Sequence, residues 1–563
     1  MNAFYQNLSA LRALRIFILI GVLSFILIAK VSSQNTVGVL TNSESVSEGY
    51  NLFFPFNQEK VFLIDNDGQL IHYWNDTNDY IPGTSVYLLE NGNLVRSKST
   101  NTKTSDPIYA PGAGAFVDVV TWEGEILSSF SLSTENARLH HDIEPMPNGN
   151  ILLVIWEKFS IEDAVEAGRD PDNLPQEFIL SEMIYEWDPV ADEIVWEWHA
   201  WNHLIQDKYS DKDNYGNVSV QNGKIDLNYD EHDGHPDWLH INSIDYNPVL
   251  DQIAVSVPYF NEFWIIDHST TTAQAKTSNG GNAGRGGEIL YRFGNDKTYL
   301  SAPNEQYLYF QHDVHWLDEY AEEGDEEYGK ILLFNNQMPD TSSIGMLVTT
   351  IDGNTFNYLD PTSNPADLIL ETYSHPNKPA EAYSDGLSNV QLLENDNILM
   401  FSGRYGYGYE LNEQGEIVWE YRIPFRYGQT VAQGDTLAQN ENITFKMNRY
   451  ATDYAAFEGK DLTPKGLLEE LDFEDDDEEE DVTALTDSQE IDGINIFPNP
   501  FDNVFYIETQ NLQTDFELFS IDGKLVYQGS LKKFNTEKIK TTQLKKGIYI
   551  LKSGSKTIKL LKN

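Results

Sequence analysis

The chain has 563 residues, of which 40% are hydrophobic and 12% aromatic, enough for about two to four domains with sizeable cores. Its formal net charge of −52 at pH 7 repels the phosphate backbone of nucleic acids, so nucleic-acid partners are excluded. The absence of cysteine excludes disulfide bonds, thiolate metal sites and a lipid-modified cysteine. Such acidity is typical of a protein exported into a salty medium. Acidic loops that hold structural calcium are the alternative, and no other cofactor is predicted.

The N-terminus has the pattern of an export signal peptide, residues 1–33. Two arginines precede an apolar run of roughly 14 residues, 16–29, which is too short for a typical membrane span. Val31 and Ser33 then stand at positions −3 and −1 to a cut before Gln34. A retained signal anchor is the alternative. No later segment is apolar over 18 residues, so the sequence predicts Sec export and no membrane span in the mature form.

Residues 34–466 contain a recurring hairpin signature: a β-branched or aromatic strand, an acidic or glycine turn, and a second strand. Its turns lie at Gly68, Gly124, Asp192, Gly287, Gly353 and Gly415. Several copies have another hairpin at an Asn-Gly-Asn or Asn-Asp-Asn turn, as at residues 91–93, 148–150 and 395–397. Two hairpins make a four-stranded antiparallel sheet, which buries both faces only by stacking on its neighbours. Six copies predict an all-β fold, a six-bladed β-propeller; an array of β-sandwiches is the alternative.

The composition changes after the repeats. Residues 467–490 include an almost wholly acidic stretch, 469–481, which predicts an extended linker. Residues 491–563 carry eleven lysines against seven acidic residues, the opposite balance from the rest of the chain. Their alternating strands and tight Asp-Gly turn predict a separate, small β-sandwich.

This last segment opens with Ile-Asn-Ile-Phe-Pro-Asn-Pro at 494–500, turns at Asp-Gly-Lys, 522–524, and ends on Lys-Gly-Ile-Tyr, 546–549. It resembles the type A C-terminal sorting domain of the type IX secretion system. The resemblance implies a Bacteroidetes-type bacterium, the secretion machinery as partner, and a protein that is secreted or held at the cell surface after crossing the outer membrane. An adhesive carbohydrate-binding module is the alternative.

Three histidine motifs stand in the middle of the repeats: Leu-His-His-Asp at 139–142, Asp-Trp-Leu-His-Ile-Asn-Ser at 237–243, and Gln-His-Asp-Val-His-Trp at 311–316. With neighbouring strands they resemble the arylsulfotransferase family over most of residues 49–466. The resemblance implies a propeller that moves a sulfuryl group from an aryl sulfate donor to a phenolic acceptor through a sulfated histidine, without a nucleotide sulfate donor. The sequence has no Gly-x-x-x-x-Gly-Lys-Ser/Thr loop for a nucleotide.

The candidate histidines shortly precede the second turn of their copies of the repeat. At this place the innermost strand of a blade points its side chains into the central channel of a propeller. We expect them to converge on one end of the axis, because they occupy equivalent positions of the repeat. Histidine titrates near neutrality and can attack or exchange protons. His240, His312 and His141 are the predicted catalytic residues, and either His312 or His240 is the nucleophile. His140 and Asn242 are predicted to bind substrate. Because side chains alternate along a strand, one of the two histidines at 140 and 141 is expected to point away from the site.

Two departures from the family motifs bear on activity. The strand at Phe-Asn-Asn, 334–336, is not followed by the family's arginine, and Asp385 stands where many relatives have histidine. Arg404 and His375 are therefore predicted to bind substrate in compensation. No metal site is predicted. The alternative function is a non-catalytic surface propeller that binds sulfated or aromatic glycans or a protein partner.

Overall fold

The computed structural model separates into two compact units, residues 1–471 and 472–563. It describes residues 35–562 apart from 76–80, 100–107, 109, 175–177, 231–233, 301–304, 340–342, 353–354, 357–364, 472–488, 492–493, 498–503, 510–513, 522–523, 532–535, 542–543 and 554–555. The predicted signal peptide, 1–33, and most of the predicted acidic linker lie outside the described residues.

The first unit consists mainly of short strands. In chain order they are β1 (Gly38–Asn42), β2 (Tyr50–Pro55), β3 (Val61–Asp65), β4 (Leu70–Trp74), β5 (Ile81–Leu88), β6 (Leu94–Ser99), β7 (Phe116–Val120), β8 (Ile126–Ser131), β9 (Ala137–Pro145), β10 (Ile151–Ser160), β11 (Phe178–Asp188), β12 (Glu193–His199), β13 (Leu204–Ile205), β14 (Ile225–Asp226), β15 (Ser243–Asn247), β16 (Gln252–Val257), β17 (Glu262–Asp267), β18 (Ile289–Phe293), β19 (His312–Trp316), β20 (Lys330–Asn335), β21 (Ile344–Thr349), β22 (Ile351–Asp352), β23 (Thr355–Phe356), β24 (Ile369–Tyr373), β25 (Asn389–Leu392), β26 (Ile398–Ser402), β27 (Tyr407–Leu411), β28 (Ile417–Arg422), β29 (Phe425–Arg426), β30 (Gln429–Thr430) and β31 (Thr444–Tyr450).

Helices in this unit are short and lie in the connections. The α-helices are α1 (Ile161–Glu166), α2 (Thr272–Ala275) and α3 (Pro379–Ala382), and the 3₁₀ turns are Pro171–Asn173, Ala200–His203, Asp296–Tyr299, Pro365–Leu368, Ala455–Phe457 and Leu468–Glu470. Ser160 and Thr271 begin the first two α-helices with capping boxes, in which each side chain accepts from the third helical N–H.

Within the described residues the first unit forms six larger antiparallel sheets. Their strand orders are β31-β2-β3-β4, β5-β6-β7-β8, β9-β10-β11-β12, β15-β16-β17-β18, β19-β20-β21-β24 and β25-β26-β27-β28-β1. Five of the predicted turns fall between the third and fourth strands of these sheets, as at Gly68 between β3 and β4 and Gly415 between β27 and β28. The sixth, at Gly353, lies outside the described residues. These five copies of the repeat thus agree in phase with the sheets.

Burial differs among the strands of a sheet, and the second strands of two sheets are completely buried. Every residue of β16 and β26 is buried, on both faces of the sheet, whereas β8 and β24 are mostly exposed. A strand is buried on both faces only when another layer covers each side of its sheet. The apolar residues therefore pack between successive sheets, which is the packing that the repeated hairpins required.

Two strand pairings join the beginning of the unit to its end. β31 pairs antiparallel with β2, so Tyr50 lies opposite Tyr450, and β1 pairs with β28, so Gly38 lies opposite Arg422. Strands from both chain ends thus complete two of the sheets and close the ring of sheets. The prediction of an all-β propeller is confirmed.

The second unit is a small sandwich of two four-stranded antiparallel sheets. Its strands are β32 (Gln489–Ile491), β33 (Ile494–Phe497), β34 (Val504–Thr509), β35 (Thr514–Ser520), β36 (Leu525–Leu531), β37 (Thr536–Lys540), β38 (Gly547–Ser553) and β39 (Lys556–Lys562). The sheets have the orders β32-β33-β34-β37 and β36-β35-β38-β39. Alternate residues such as Phe505, Ile507, Phe516 and Leu518 form the core between them, as a period of two requires.

Ordered structure of the first unit extends into the predicted linker. Leu467 bridges Gln69, and Leu468 is fully buried at the start of a 3₁₀ turn. The first residues of 467–490 therefore belong to the propeller, because the apolar side chain of Leu468, which precedes most of the acidic run, is buried in the first unit.

Candidate functional site

The candidate site is built on the innermost strands β9, β15, β19, β25 and β31, which lie side by side. Four side chains tie each of these strands to the next. Asp142 Oδ2 accepts from Ile244 N at 3.4 Å, Ser243 Oγ from Val314 N at 2.8 Å, Asp313 Oδ2 from Val390 N at 3.1 Å, and Asn389 Oδ1 from Met447 N at 3.0 Å. Residues just before these positions, including the predicted histidines, are consequently held at one end of the ring.

His140 and His141 both belong to the site, contrary to the expectation that one points away. Their Nδ1 atoms are 2.9 Å apart, and both side chains are buried. The reason is local: His141 has φ of +47°, and the pairing of β9 with β10 shifts register between Leu139 and Ile143, on either side of it. A left-handed residue breaks the alternation of side chains along a strand.

His240 lies against His141, with ring centroids 4.4 Å apart in an edge-on arrangement. Its Nδ1 is 2.5 Å from Asp237 Oδ2, and its ring stacks on Tyr259 at 4.6 Å. Since a carboxylate only accepts, Nδ1 carries the hydrogen. In the part of the chain that the structure describes, Nε2 of His240 has no hydrogen bond.

His312 is fixed by groups from the two following elements. Its Nδ1 is 2.9 Å from Asn336 Oδ1, and Leu387 N donates to its Nε2 at 3.0 Å. The amide of Asn336 donates to the carbonyls of Ser384 and Leu387, so its oxygen faces the ring. His312 is therefore the tautomer with hydrogen on Nδ1 and a lone pair on Nε2.

Burial sets the charge of three of these rings. It lowers the pKa of His140 and of His141 well below the ordinary value, and His240 beside them acts in the same direction. Burial also lowers the pKa of His312 to about 3, although the contact with Asn336 opposes this shift. Near neutral pH these three imidazoles are uncharged, which is the form that can attack an electrophile.

Two phenylalanine rings lie between His312 and the other two catalytic candidates, His240 and His141. Phe310 lies 6.1 Å from His240 and 5.8 Å from His312, and Phe445 lies 6.3 Å from His141 and 6.2 Å from His312, measured between ring centroids. These rings offer surfaces on which an aryl group can stack.

Arg404 is the predicted cation that the structure brings to the site. Its Nε is 2.9 Å from Asp385 Oδ1. A Cβ placed on Gly386 would lie 3.4 Å from Arg404 Nη2 and 3.8 Å from His312 Cε1, so the guanidinium and the imidazole both flank this glycine. Asp385, which stands where many relatives have histidine, thus contacts Arg404, the arginine predicted to compensate for the missing one.

The remaining two predicted substrate-binding residues have other contacts. Asn242 is buried, and its Nδ2 donates to the carbonyl of Gln311 at 2.9 Å, so it supports the start of β19. His375 lies outside the cluster: its Nε2 is 3.0 Å from the hydroxyl of Tyr407, and its Nδ1 accepts from the backbone of Lys378. Tyr407 stands on the third strand of its sheet, away from the inner strands.

A buried ion network lies directly behind the histidines. Lys446 Nζ on β31 is 2.8 Å from Asp142 Oδ2 and 2.9 Å from Asp313 Oδ1, and all three side chains are buried. These aspartates follow His141 and His312 in the chain. The carboxylates hold the pKa of Lys446 well above its usual value against the opposing effect of burial.

Several residues of the site were missed by the sequence analysis: Asp237, Glu182, Asn336 and Lys446. Asp237 lies within a motif and three residues before His240, which is a usable signal. Glu182 has a different signal, because it is a charged residue inside the apolar strand β11. The partners of Asn336 and Lys446 come from distant strands and leave no local pattern. Among the described residues, no group of three or more histidine or acidic side chains is arranged to hold a metal ion.

Comparison with protein families identifies the first unit. The family model described as arylsulfotransferase (ASST) matches residues 36–450, which is most of the chain. The chain belongs to the arylsulfotransferase family. A second model, described as a secretion system C-terminal sorting domain, matches residues 495–563. This arylsulfotransferase-family protein therefore carries a type IX sorting domain and is exported to the cell surface or secreted.

Comparisons with individual proteins add little. No curated protein matches the sequence. Among solved structures, a protein of unknown function from Bacteroides caccae is 10% identical, with 72% of this chain and 99% of that one covered and a TM-score of 0.38. Virginiamycin B lyase from Staphylococcus aureus is 11% identical, with 72% and 97% covered and a TM-score of 0.30. Likenesses this weak carry no argument about activity. In the described part of the chain, no helix combines the length and apolar character needed to cross a membrane.

Proposed function

We propose that the protein transfers a sulfuryl group from an aryl sulfate to a phenol, through a covalent intermediate on His312. The observation that carries this proposal is the buried, uncharged His312, with a lone pair on Nε2, beside Arg404. A sulfuryl donor requires a nucleophile and cationic or N–H donors for its charged oxygens at one place. Membership of the arylsulfotransferase family supports the same reaction class.

In the first step, Nε2 of His312 attacks sulfur. The N–S bond forms, the S–O bond to the aryl group breaks, and the phenolate oxygen takes up a proton to leave as phenol. Asn336 Oδ1 accepts from Nδ1 and so stabilises the positive charge that develops on the ring. In the second step, an acceptor phenol loses its proton, its oxygen attacks sulfur, and the N–S bond breaks to restore His312.

Two groups can hold the sulfuryl oxygens next to His312. Arg404 provides a guanidinium, and the backbone N–H of Leu387 points at Nε2 of the imidazole. Leu387 has φ of +62° and Ser388 of +89°. Non-glycine residues in this region are strained and persist where the surroundings enforce them, often at functional sites. We propose that the Leu387 N–H donates to a sulfuryl oxygen once the donor is bound.

His240 is the other predicted nucleophile, and its surroundings favour a different role. Asp237 accepts from Nδ1 and fixes the ring, so Nε2 has a lone pair that can accept a hydrogen bond from a phenol. Its other neighbours are His141, Tyr259 and Phe310, which provide no cation for a sulfuryl group. We therefore assign His240 to hydrogen bonding with the substrate and His312 to attack.

The test uses the purified, exported form with 4-nitrophenyl sulfate as donor and phenol as acceptor. We expect release of 4-nitrophenol and formation of phenyl sulfate, and the loss of both in His312→Asn. The matched control is His199→Asn, which should transfer at the wild-type rate. His199 is a half-buried histidine at the end of the outer strand β12, paired with Glu157. Transfer that is undiminished in His312→Asn would refute the assignment.

A second candidate is a non-catalytic propeller that binds sulfated or aromatic ligands. The ion pair between Arg404 and Asp385 favours it, because the carboxylate offsets the charge that a sulfuryl group needs. Calorimetry with 4-nitrophenyl sulfate separates the two. Saturable binding without release of 4-nitrophenol would support the binding protein and reject the transferase.

A further inference from the structure

A line of buried contacts leads from the site into the next sheet. Glu182 Oε2 on β11 is 2.7 Å from His140 Nε2, and His140 Nδ1 is 2.9 Å from His141 Nδ1. The side chains of Glu182 and His140 have no exposed surface. His140 stacks on Trp156 with centroids 4.0 Å apart and planes 3° from parallel, which fixes its ring orientation.

These contacts couple the positions of the protons. Only one hydrogen fits between the two Nδ1 atoms, so one ring donates and the other accepts. If Glu182 is ionised, His140 carries hydrogen on Nε2, His141 carries it on Nδ1, and Nε2 of His141 has a lone pair. If Glu182 is protonated, His140 carries hydrogen on Nδ1 and His141 on Nε2. The second arrangement holds one more proton than the first.

We propose that Glu182, His140 and His141 form a proton relay that serves the transfer reaction, with Nε2 of His141 as its outer end and Glu182 as its store. The relay rests on the proposed sulfuryl transfer. It assigns His140 to proton transfer, in place of the substrate binding expected from the sequence, and it gives Glu182 a role. Glu182 touches no substrate and acts through His140.

The proton balance closes in both steps. The leaving phenolate takes hydrogen from Nε2 of His141. Nδ1 of His141 then takes the hydrogen of His140 Nδ1, Nε2 of His140 takes the carboxyl hydrogen, and Glu182 becomes ionised. The acceptor phenol later gives its proton to Nε2 of His141, and the same shifts run backwards. No ring in the relay carries a net charge at either end point.

The surroundings favour a store that is remote from the site. Burial and His240 disfavour a charge on His141, so a proton held there would be costly. Burial raises the pKa of Glu182 well above its usual value, and Asp237 adds to this effect, while the N–H groups of His240 and Ile241 oppose it. Burial, His240 and Arg138 also disfavour a positive charge on His140, whose pKa they lower. Glu182 is thus able to hold the proton.

The test compares donors that differ in their need for a proton. 4-Nitrophenolate leaves readily without one, whereas unsubstituted phenolate requires one. In single turnovers without acceptor, which isolate the first step, we expect Glu182→Gln to release 4-nitrophenol from 4-nitrophenyl sulfate at close to the wild-type rate. It should release phenol from phenyl sulfate roughly 100-fold more slowly, the usual contribution of an acid–base group. His140→Gln should give the same pattern. The matched control, Glu186→Gln on the same strand, should leave both rates unchanged. An equal loss with both donors, or no loss, would overturn the relay.

A second measurement does not depend on turnover. Nitrogen-15 shifts of labelled histidine report the tautomer of each ring. We expect the tautomers of His140 and His141 to switch together as pH is varied in the wild type and to stay fixed in Glu182→Gln. Independent titration of the two rings would refute the relay. A wild type that switches but transfers no sulfuryl group would refute only the proposed function.

Discussion

Replacement of Lys446 with methionine is the sharpest test of how the inner strands are held. Lys446 Nζ lies 2.8 Å from Asp142 and 2.9 Å from Asp313, and all three side chains are buried. Methionine fills a similar volume without the charge. The change leaves two buried carboxylates, on the inner strands β9 and β19, without their shared cation.

The expected cost follows from the burial. Removing one partner of a buried ion pair costs about 3–5 kcal/mol, because the remaining charge stays desolvated. We therefore expect Lys446→Met to lower the free energy of unfolding of the propeller by about 4 kcal/mol. The raised pKa of Lys446 means that this contribution is fully present below the unfolded value of 10.5 and is lost only as pH rises through the folded value.

Urea unfolding at pH 7, followed by tryptophan fluorescence, measures the effect. Lys276→Met is the control, since Lys276 is exposed and its pair with Glu197 at 3.8 Å should contribute less than about 1 kcal/mol. Adding Asp313→Asn to Lys446→Met removes one unpaired carboxylate and should restore part of the loss. A loss below about 1 kcal/mol in Lys446→Met, or no recovery in the double variant, would refute this reasoning.

Three further predictions concern the site and its surroundings. Asp237→Asn should lower kcat for transfer roughly 100-fold with little change in KM, because the carboxylate fixes the tautomer and orientation of His240; an unchanged kcat would exclude that role. Gly112→Ala places a Cβ 2.1 Å from the ring of His141 at φ of +84°, so transfer should be lost with a free energy of unfolding lower by about 2 kcal/mol; normal rates in the 4-nitrophenol assay would contradict this. His268 has its pKa raised to about 9 by two carboxylates against the effect of burial, so its stabilisation is complete below pH 6.5 and disappears as pH rises through 9. Urea unfolding should therefore show a loss of up to about 3 kcal/mol between pH 7 and 10 that is absent in His268→Asn.

The fold was largely predictable because the hairpins repeat. The turns at Gly68 and Gly415 mark the same position of different sheets, and alternation along each strand gives its buried faces. Closure of the sheets into a ring was predictable because each sheet must be covered by a neighbour on both faces. The pairing of β31 with β2 has no sequence signal of its own, since it joins residues at opposite ends of the repeats.

The site was predictable in position but not in detail. His141, His240 and His312 come together because each precedes the inner turn of its copy. The mutual contact of His140 and His141 depends on a positive φ at a histidine, which no pattern of side chains indicates. His375 was grouped with them from its type and chain order, which do not determine how far from the axis a residue lies.

The covalent intermediate is the claim on which the account depends most. The wild type, mixed with excess 4-nitrophenyl sulfate without acceptor and quenched in alkali, can be digested and mapped by mass spectrometry. We predict one added SO₃ group on the peptide that contains His312, and none in His312→Asn. Label on the peptide of His240 instead, or release of 4-nitrophenol with no labelled histidine, would contradict it.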